Sequence, residues 1–228
     1  MKILITSGGT SEKIDQVRSI TNHASGNLGK MITELFLQNG HQVTLVTTKA
    51  AVKPQKQDGL TLKIVSDVAS LQATLEPLVK THQVLIHSMA VSDYTPIYMT
   101  DLAELQAARD VNQLLKKSNQ EAKISSAADT QVLFLKKTPK IISLVKKWNP
   151  TIRLVGFKLL VDVPKEELFS VARDSLKRNQ AEFIIANDLT NINDRQHIAY
   201  MVDESTEELA HTKAEIAQKI YERVIAHD

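Results

Sequence analysis

Residues 5–30 read ITSGGTSEKIDQVRSITNHASGNLGK and hold Gly8, Gly9, Gly26 and Gly29, in a chain of 228 residues with 7 glycines. Thr10, Asp15, Arg18, Asn22 and Ser25 stand between them. Glycine lets a backbone approach an anion closely, and free N–H groups where a loop enters a helix can hold a phosphate. Gly8-Gly9 directly after an apolar run, and Ser25-Gly26-Asn27-Leu28-Gly29 directly before a helical pattern, suit that chemistry; tight turns are the plainer use of Gly8-Gly9. The spacing is not G-x-G-x-x-G, because a long polar stretch separates the two glycine pairs, and no G-x-x-x-x-G-K-[ST] is present. A phosphate or nucleotide site is therefore expected without a standard dinucleotide or Walker loop. Two further groups end apolar runs: Asp93, in HSMAVSDY, and Asn187-Asp188, in FIIAND. A carboxylate in the place of Asp93 can order magnesium or orient a nucleotide, or simply turn the chain ahead of Pro96. Asn187-Asp188 suits the same position or an Asx turn.

These residues need a frame. Short β-branched apolar runs recur at Ile3 to Thr6, Val43 to Thr47, Leu60 to Val65, Val84 to His87, Arg153 to Phe157 and Phe183 to Ala186. In LGKMITELFLQNG, Leu28, Met31, Ile32, Leu35 and Phe36 share a helical face and Gly40 is a natural stop. Helical patterns follow at Val68 to Lys80, Asp101 to Lys117, Pro139 to Lys147, Lys165 to Arg178 and Thr212 to Ala226. Strands alternating with helices predict an α/β fold, three-layered and Rossmann-like, its mostly parallel sheet covered on both faces. One domain over 1–228 is expected, with an irregular arm at roughly 94–150 in which TQVLFLKKT is an added strand used for self-association.

Composition narrows the classes. Lys plus Arg total 28 against 26 Asp plus Glu, a net charge of +2, which gives no electrostatic case for nucleic acid. The absence of cysteine excludes disulfides, Cys-bound zinc and a thiol nucleophile. No run of about 18 apolar residues suggests a membrane span, and MKILITSGG is too short and wrongly flanked for a signal peptide; a cytoplasmic location is expected. The 7 histidines show no metal-binding spacing.

The 8–29 segment resembles the Gly-Gly-Thr…Ile-Asp-x-Val-Arg-x-Ile-(Thr/Ser)-Asn-x-(Ser/Ala)-Ser-Gly-x-x-Gly signature of phosphopantothenate-cysteine ligases. The resemblance continues in family order through MAVSDY (89–94), AKISS (122–126), LKKTPKII (135–142), LVGFK (154–158) and AEFIIANDL (181–189). It carries no flavin-dependent decarboxylase half, so the likeness is to the free-standing bacterial type. The resemblance implies ligation of cysteine to 4'-phosphopantothenate in coenzyme A biosynthesis, through an acyl-nucleotidylate formed from a nucleoside triphosphate with release of pyrophosphate. CTP is favoured over ATP, with Mg2+ as cofactor and a homodimer as the assembly. Catalytic roles fall on Asn22 and Lys123. Binding roles fall on Gly8, Gly9, Thr10, Arg18, Ser25, Gly26, Gly29, Ala90, Ser92, Asp93, Gly156, Phe157, Lys177, Asn187 and Asp188; Asp93 is also the magnesium ligand.

One departure stands out. Relatives carry lysines before the Ala-Asn-Asp motif where ARDSLKRNQAE here has Ser175 and Asn179, leaving Lys177 or Arg178 to compensate. Lys158 stands where many bifunctional relatives have alanine. Two competing readings are a nucleotide-sensing module that lost turnover and an NAD(P)-dependent oxidoreductase, the latter without its dinucleotide fingerprint.

Overall fold

A computed structural model describes residues 1–193 and 196–226. Its centre is an eight-stranded sheet. Strand β1 (Lys2–Ser7) has β4 (Gln42–Thr48) and then β5 (Leu60–Val65) on one side, and β6 (Val84–His87), β9 (Arg153–Leu160) and β10 (Phe183–Ile192) on the other. These six pair in parallel; β11 (His197–Val202) and β12 (Glu207–Ala210) close the sheet antiparallel. Each strand predicted from its apolar run is present.

The alternation of side chains along the strands makes two cores. Ile3, Ile5, Val43, Leu45, Ile86, Val155, Phe183 and Ile185 face α1 (Asn27–Gln38) and α7 (Lys213–Ile225), where Ile32, Phe36, Ile216 and Ile220 are fully buried. Leu4, Val46, Leu85, Leu154 and Ile184 face α2 (Val68–Val79), α5 (Ile142–Trp148) and α6 (Lys165–Asn179). This is the three-layer arrangement. Helix α2 begins at a capping box in which Asp67 accepts from Ser70 N–H at 2.8 Å. Helix α6 has Glu166 and Glu167 in its first turn and Lys177 and Arg178 in its last, matching the helix dipole.

Four features differ from expectation. The segment 10–22 is not plain loop: β2 (Ser11–Lys13) and β3 (Ser19–Thr21) form a hairpin. Strand β7 (Tyr94–Asp101) tolerates Pro96 at a register shift against β8 (Gln131–Lys137), and the two make a separate two-stranded arm. Asp101 to Lys117 is not one helix but α3 (Leu102–Ala107) and α4 (Val111–Leu114). Asp101 and Asp110 each cap a new start, Ala108 is extended, and only Leu114 of the two helices is buried. Last, β5 is not covered on both faces: Leu62 and Ile64 are exposed, because no helix lies in the 49–59 connection to shelter that edge.

Candidate functional site: a cleft at the switch point of the sheet

From β1 the chain leaves through α1 to β4 on one side; from β6 it leaves towards β9 on the other. A crevice opens beyond the carboxyl ends of two such strands, where ligands bind in open α/β sheets. Here it is a cleft of about 470 Å³ lined by Ser7, Gly8, residues 23–29, residues 88–91, Phe157, Leu159, Asn187, Leu189, Ile192, His197 and Lys213.

Its floor is sewn together by backbone. A bridge between Gly9 and Ala90 extends the β1–β6 pairing, with Ala90 N–H on the Gly8 carbonyl at 2.9 Å and Thr10 N–H on the Ala90 carbonyl at 3.0 Å. Buried Thr10 and Ser92 share a hydroxyl hydrogen bond of 2.9 Å, and Ser92 N–H donates to Thr10 Oγ1 at 2.9 Å. Asn22 N–H donates to the Thr10 carbonyl at 3.1 Å. A Cβ at Gly9 would stand 2.1 Å from the Asn22 carbonyl oxygen, so only glycine lets these strands of loop touch. Beneath them His87 is buried; burial pushes its imidazole down to about 4, so it is neutral at pH 7. Its Nδ1 pairs with Thr6 Oγ1 at 2.8 Å, and Met89 N–H donates to the same hydroxyl at 3.2 Å.

One wall of the cleft is the start of α1. Gly26 is the N-cap at φ 82°, and no side chain caps the helix. Asn27 N–H donates to Ser25 Oγ at 3.4 Å, and Leu28 and Gly29, the next residues of the first turn, line the cleft with the positive end of the helix dipole behind them. A Cβ at Gly29 would lie 2.3 Å from Ser7 Oγ, so this glycine lets the helix start press against the end of β1. Leu28, Met89, Val91, Phe157, Leu159, Leu189 and Ile192 make the apolar walls. The arrangement suits a ligand with an anionic part at α1 and a less polar body across β9 and β10.

The residues expected from sequence fall into three groups. Gly8, Ser25, Gly26, Gly29, Ala90, Phe157 and Asn187 line the cleft. Gly9, Thr10, Asn22 and Ser92 support it from behind. Asn22 Nδ2 reaches the Ala90 carbonyl at 3.4 Å and Ser92 Oγ at 3.3 Å, which directs its donor end to the floor rather than outward.

The others lie elsewhere in this chain. Gly156 sits on the opposite face of β9, where a Cβ would meet Ile184 at 2.7 Å and Ile142 at 3.0 Å; packing, not approach to a ligand, requires it. Asp188 also points away: its carboxylate accepts from the N–H groups of Asp162, Val163 and Thr190 and from the Thr190 hydroxyl at 2.6 Å. The Thr190 hydroxyl and these N–H groups hold it well below the usual carboxylate range.

Lys177 is near the end of α6, and α6 runs back to the amino edge of the sheet before β10, so the lysine is at the opposite edge from the cleft. Asn179 is spent on helix packing, accepting from Ser143 Oγ at 2.8 Å. Asp93 is exposed at the rim and paired with Lys140. Arg18 holds Asp15 at 2.6 Å, and Lys123 is exposed on the arm.

No cluster of three ligating side chains for a metal exists among the described residues. Asp93, the residue expected to bind magnesium, is instead paired with Lys140.

Sequence reasoning missed His197 and Lys213, brought to the cleft by β11 and the start of α7. His197 Nε2 is 3.2 Å from Asn187 Nδ2, while its Nδ1 is buried without a partner. Burial, then the nearby Lys213 charge, lowers its pKa. Neither lies in a motif, so only the hairpin that folds β11 back on β10 reveals them.

Residues 1–227 match the family model described as DNA/pantothenate metabolism flavoprotein C-terminal domain. The chain belongs to this family. It is 30% identical over 226 residues to the coenzyme A biosynthesis bifunctional protein CoaBC of Thermococcus kodakarensis, covering 98% of this chain and 50% of that protein. It is 34% identical over 193 residues to the CoaBC protein of Haemophilus influenzae, covering 83% of this chain and 41% of that one. The chain thus spans about half the length of these curated relatives. Its fold is similar to the crystal structure of the DNA/pantothenate metabolism flavoprotein from Streptococcus pneumoniae, with a TM-score of 0.96, 55% identity and full coverage of both chains. A Cab2 H337A mutant in complex with phosphopantothenate-cysteine shares the fold at a TM-score of 0.74 and 21% identity, over 99% of this chain and 85% of that one. Among the described residues no helix is long and apolar enough to cross a membrane.

Proposed function

We propose that this chain joins L-cysteine to 4'-phosphopantothenate, an amide-forming ligation driven by a nucleoside triphosphate, with CTP favoured over ATP. In the first half, a carboxylate oxygen of phosphopantothenate bonds to the α-phosphorus and pyrophosphate leaves. In the second, the cysteine amine attacks the activated carbonyl, the nucleoside monophosphate leaves, and the amine proton passes to solvent or a base. The observation that carries the reading is the uncapped, Gly26-started N-terminus of α1 opening into the switch-point cleft, in a chain whose family model covers residues 1–227. Preorganised N–H donors at that place stabilise the charge that builds on phosphorus without reorganising in the reaction.

Phe157 and the apolar walls exclude water from the activated carbonyl. Asn22 and Ala90 fix the floor on which the carbonyl and phosphate rest. Magnesium, when bound with the triphosphate, supplies charge neutralisation. Lys123 of one chain stands apart from that chain's own cleft, and a homodimer in which the arm presents Lys123 to a neighbour's cleft completes the site. Retention of the cleft without turnover would instead make the chain a nucleotide sensor.

The test supplies 4'-phosphopantothenate, cysteine and magnesium with CTP or ATP separately and follows pyrophosphate and the new amide by mass spectrometry. Amide with CTP and little with ATP is expected. Nucleotide binding without amide from either would overturn the ligase reading in favour of the sensor, and a monomer by light scattering at working concentration would overturn the crossed arm.

A further inference from the structure

The β2–β3 hairpin has Asn22 at its base and Asp15 and Arg18 in its turn. Three strand pairs separate them, about 10 Å of extended chain. At the turn the Asp15 side chain is 0% exposed. Its carboxylate accepts from Val17 N–H at 2.8 Å, Arg18 N–H at 2.7 Å, Arg18 Nε at 3.0 Å and Nη2 at 2.6 Å, and Ile124 N–H at 3.1 Å. Arg18 Nη2 also donates to the Ile124 carbonyl at 2.8 Å, and Gln16 N–H to the Ala122 carbonyl at 3.0 Å. Both neighbours of Lys123 are thereby tied to the hairpin tip while Lys123 itself is exposed.

Burying a carboxylate is costly unless its lone pairs are filled. Here they are filled by two guanidinium N–H groups of Arg18, both on Oδ2, and by backbone from a segment more than 100 residues away in sequence, at a surface turn with no large core to serve.

We propose that Asp15 and Arg18 are positioning residues for Lys123, locking segment 122–124 to the hairpin that carries Asn22 so that the lysine is presented at a fixed place and angle. This rests on the ligase reading and gives Arg18 a different part from ligand binding. A lysine on an untied arm would still meet phosphate, but not in one geometry, and a misplacement of about 1 Å is enough to cost about 100-fold in rate.

The test is a double-mutant cycle in the full chain with Asp15→Asn and Lys123→Gln, using 4'-phosphopantothenate, cysteine and the nucleotide that the parent turns over. Asp15→Asn is expected to lower kcat by about 10- to 100-fold with KM nearly unchanged, and to add less than about 2-fold when Lys123 is already glutamine. Equal losses in both backgrounds would show that Asp15 only holds the fold and would overturn the proposal. Arg18→Lys, which keeps the charge but not the fork, should fall between the parent and Asp15→Asn.

A second readout is independent of turnover. Backbone amides at 122–125 should exchange hydrogen at least about 10-fold faster in Asp15→Asn than in the parent, with β1 unchanged. Unaltered exchange at 122–125 would also overturn the proposal. A parent chain that makes no amide, by contrast, would remove the ligase reading and with it the role given to Lys123.

Discussion

The floor of the cleft and the tip of the β2–β3 hairpin are two ends of one short element, yet they are held by different forces. At the floor, the Gly9–Ala90 bridge and Asn22 N–H on Thr10 are backbone contacts made possible by the absence of a side chain at Gly9. At the tip, the Asp15 carboxylate and the Arg18 guanidinium reach across to Ile124 through charge, beside the backbone contact of Gln16 N–H to the Ala122 carbonyl. The floor is fixed by shape and tolerates no added volume. The tip is fixed by ionisation and tolerates no lost charge. For the proposed ligation, holding the Asn22 amide and the Lys123 segment by different means keeps one perturbation from releasing both.

The largest break in this comparison is steric. Gly9→Ala drives a methyl into the Asn22 carbonyl, and backbone cannot yield as a flexible side chain can. A loss of about 3 kcal/mol is expected in chemical denaturation, with the arm's exchange protection kept if the variant is folded.

Acid separates the two ends by pH. His87 has its pKa lowered from 6.5 to about 4, so the unfolded chain binds the proton more readily. Its contribution is complete above pH 6.5 and is lost as pH falls towards 4, up to about 3 kcal/mol. Asp15 is lowered too, chiefly by Arg18, and its contribution survives until pH falls below the ordinary carboxylate value of 3.8. Titrating from pH 7 to pH 4.5 should therefore loosen the floor before the tip. Hydrogen exchange at β6 rising ahead of that at 122–125 is the expected order, and His87→Gln should flatten the stability loss in that window.

The smallest effect sharpens the cleft itself. His197→Leu leaves Asn187 without its 3.2 Å partner and should cost about 1 kcal/mol in stability or ligand affinity. His197→Gln places an amide near the position of Nε2 and should recover most of it by calorimetry with the nucleotide.

Much of this was legible in the sequence, for identifiable reasons. The parallel strands are continuous apolar runs such as Val84 to His87, and buried strands of that kind read clearly. The cleft-lining glycines were legible because few residue types let backbone approach backbone or anion. Direction was harder to read. Gly156 and Asp188 stand in the right motifs, but strand alternation turns both away from the cleft, and motif spelling does not say which face a strand presents. The place of Lys177 depends on where α6 ends relative to the sheet, which spelling alone does not give. Asp15, Arg18 and Ile124 meet only in three dimensions, and His197 enters through a hairpin with no signature of its own.

The central claim is that this cleft activates a carboxylate as an acyl-nucleotidylate, and Asn22→Asp tests it most directly in a single turnover. The substitution puts a negative charge beside the Ala90 carbonyl and, in the proposed reaction, beside the substrate's phosphate. The account predicts nucleotide bound within about threefold of the parent affinity and amide formation at least about 100-fold slower, with the reaction stalled at or near the acyl-nucleotidylate. Amide formation at the parent rate would contradict it.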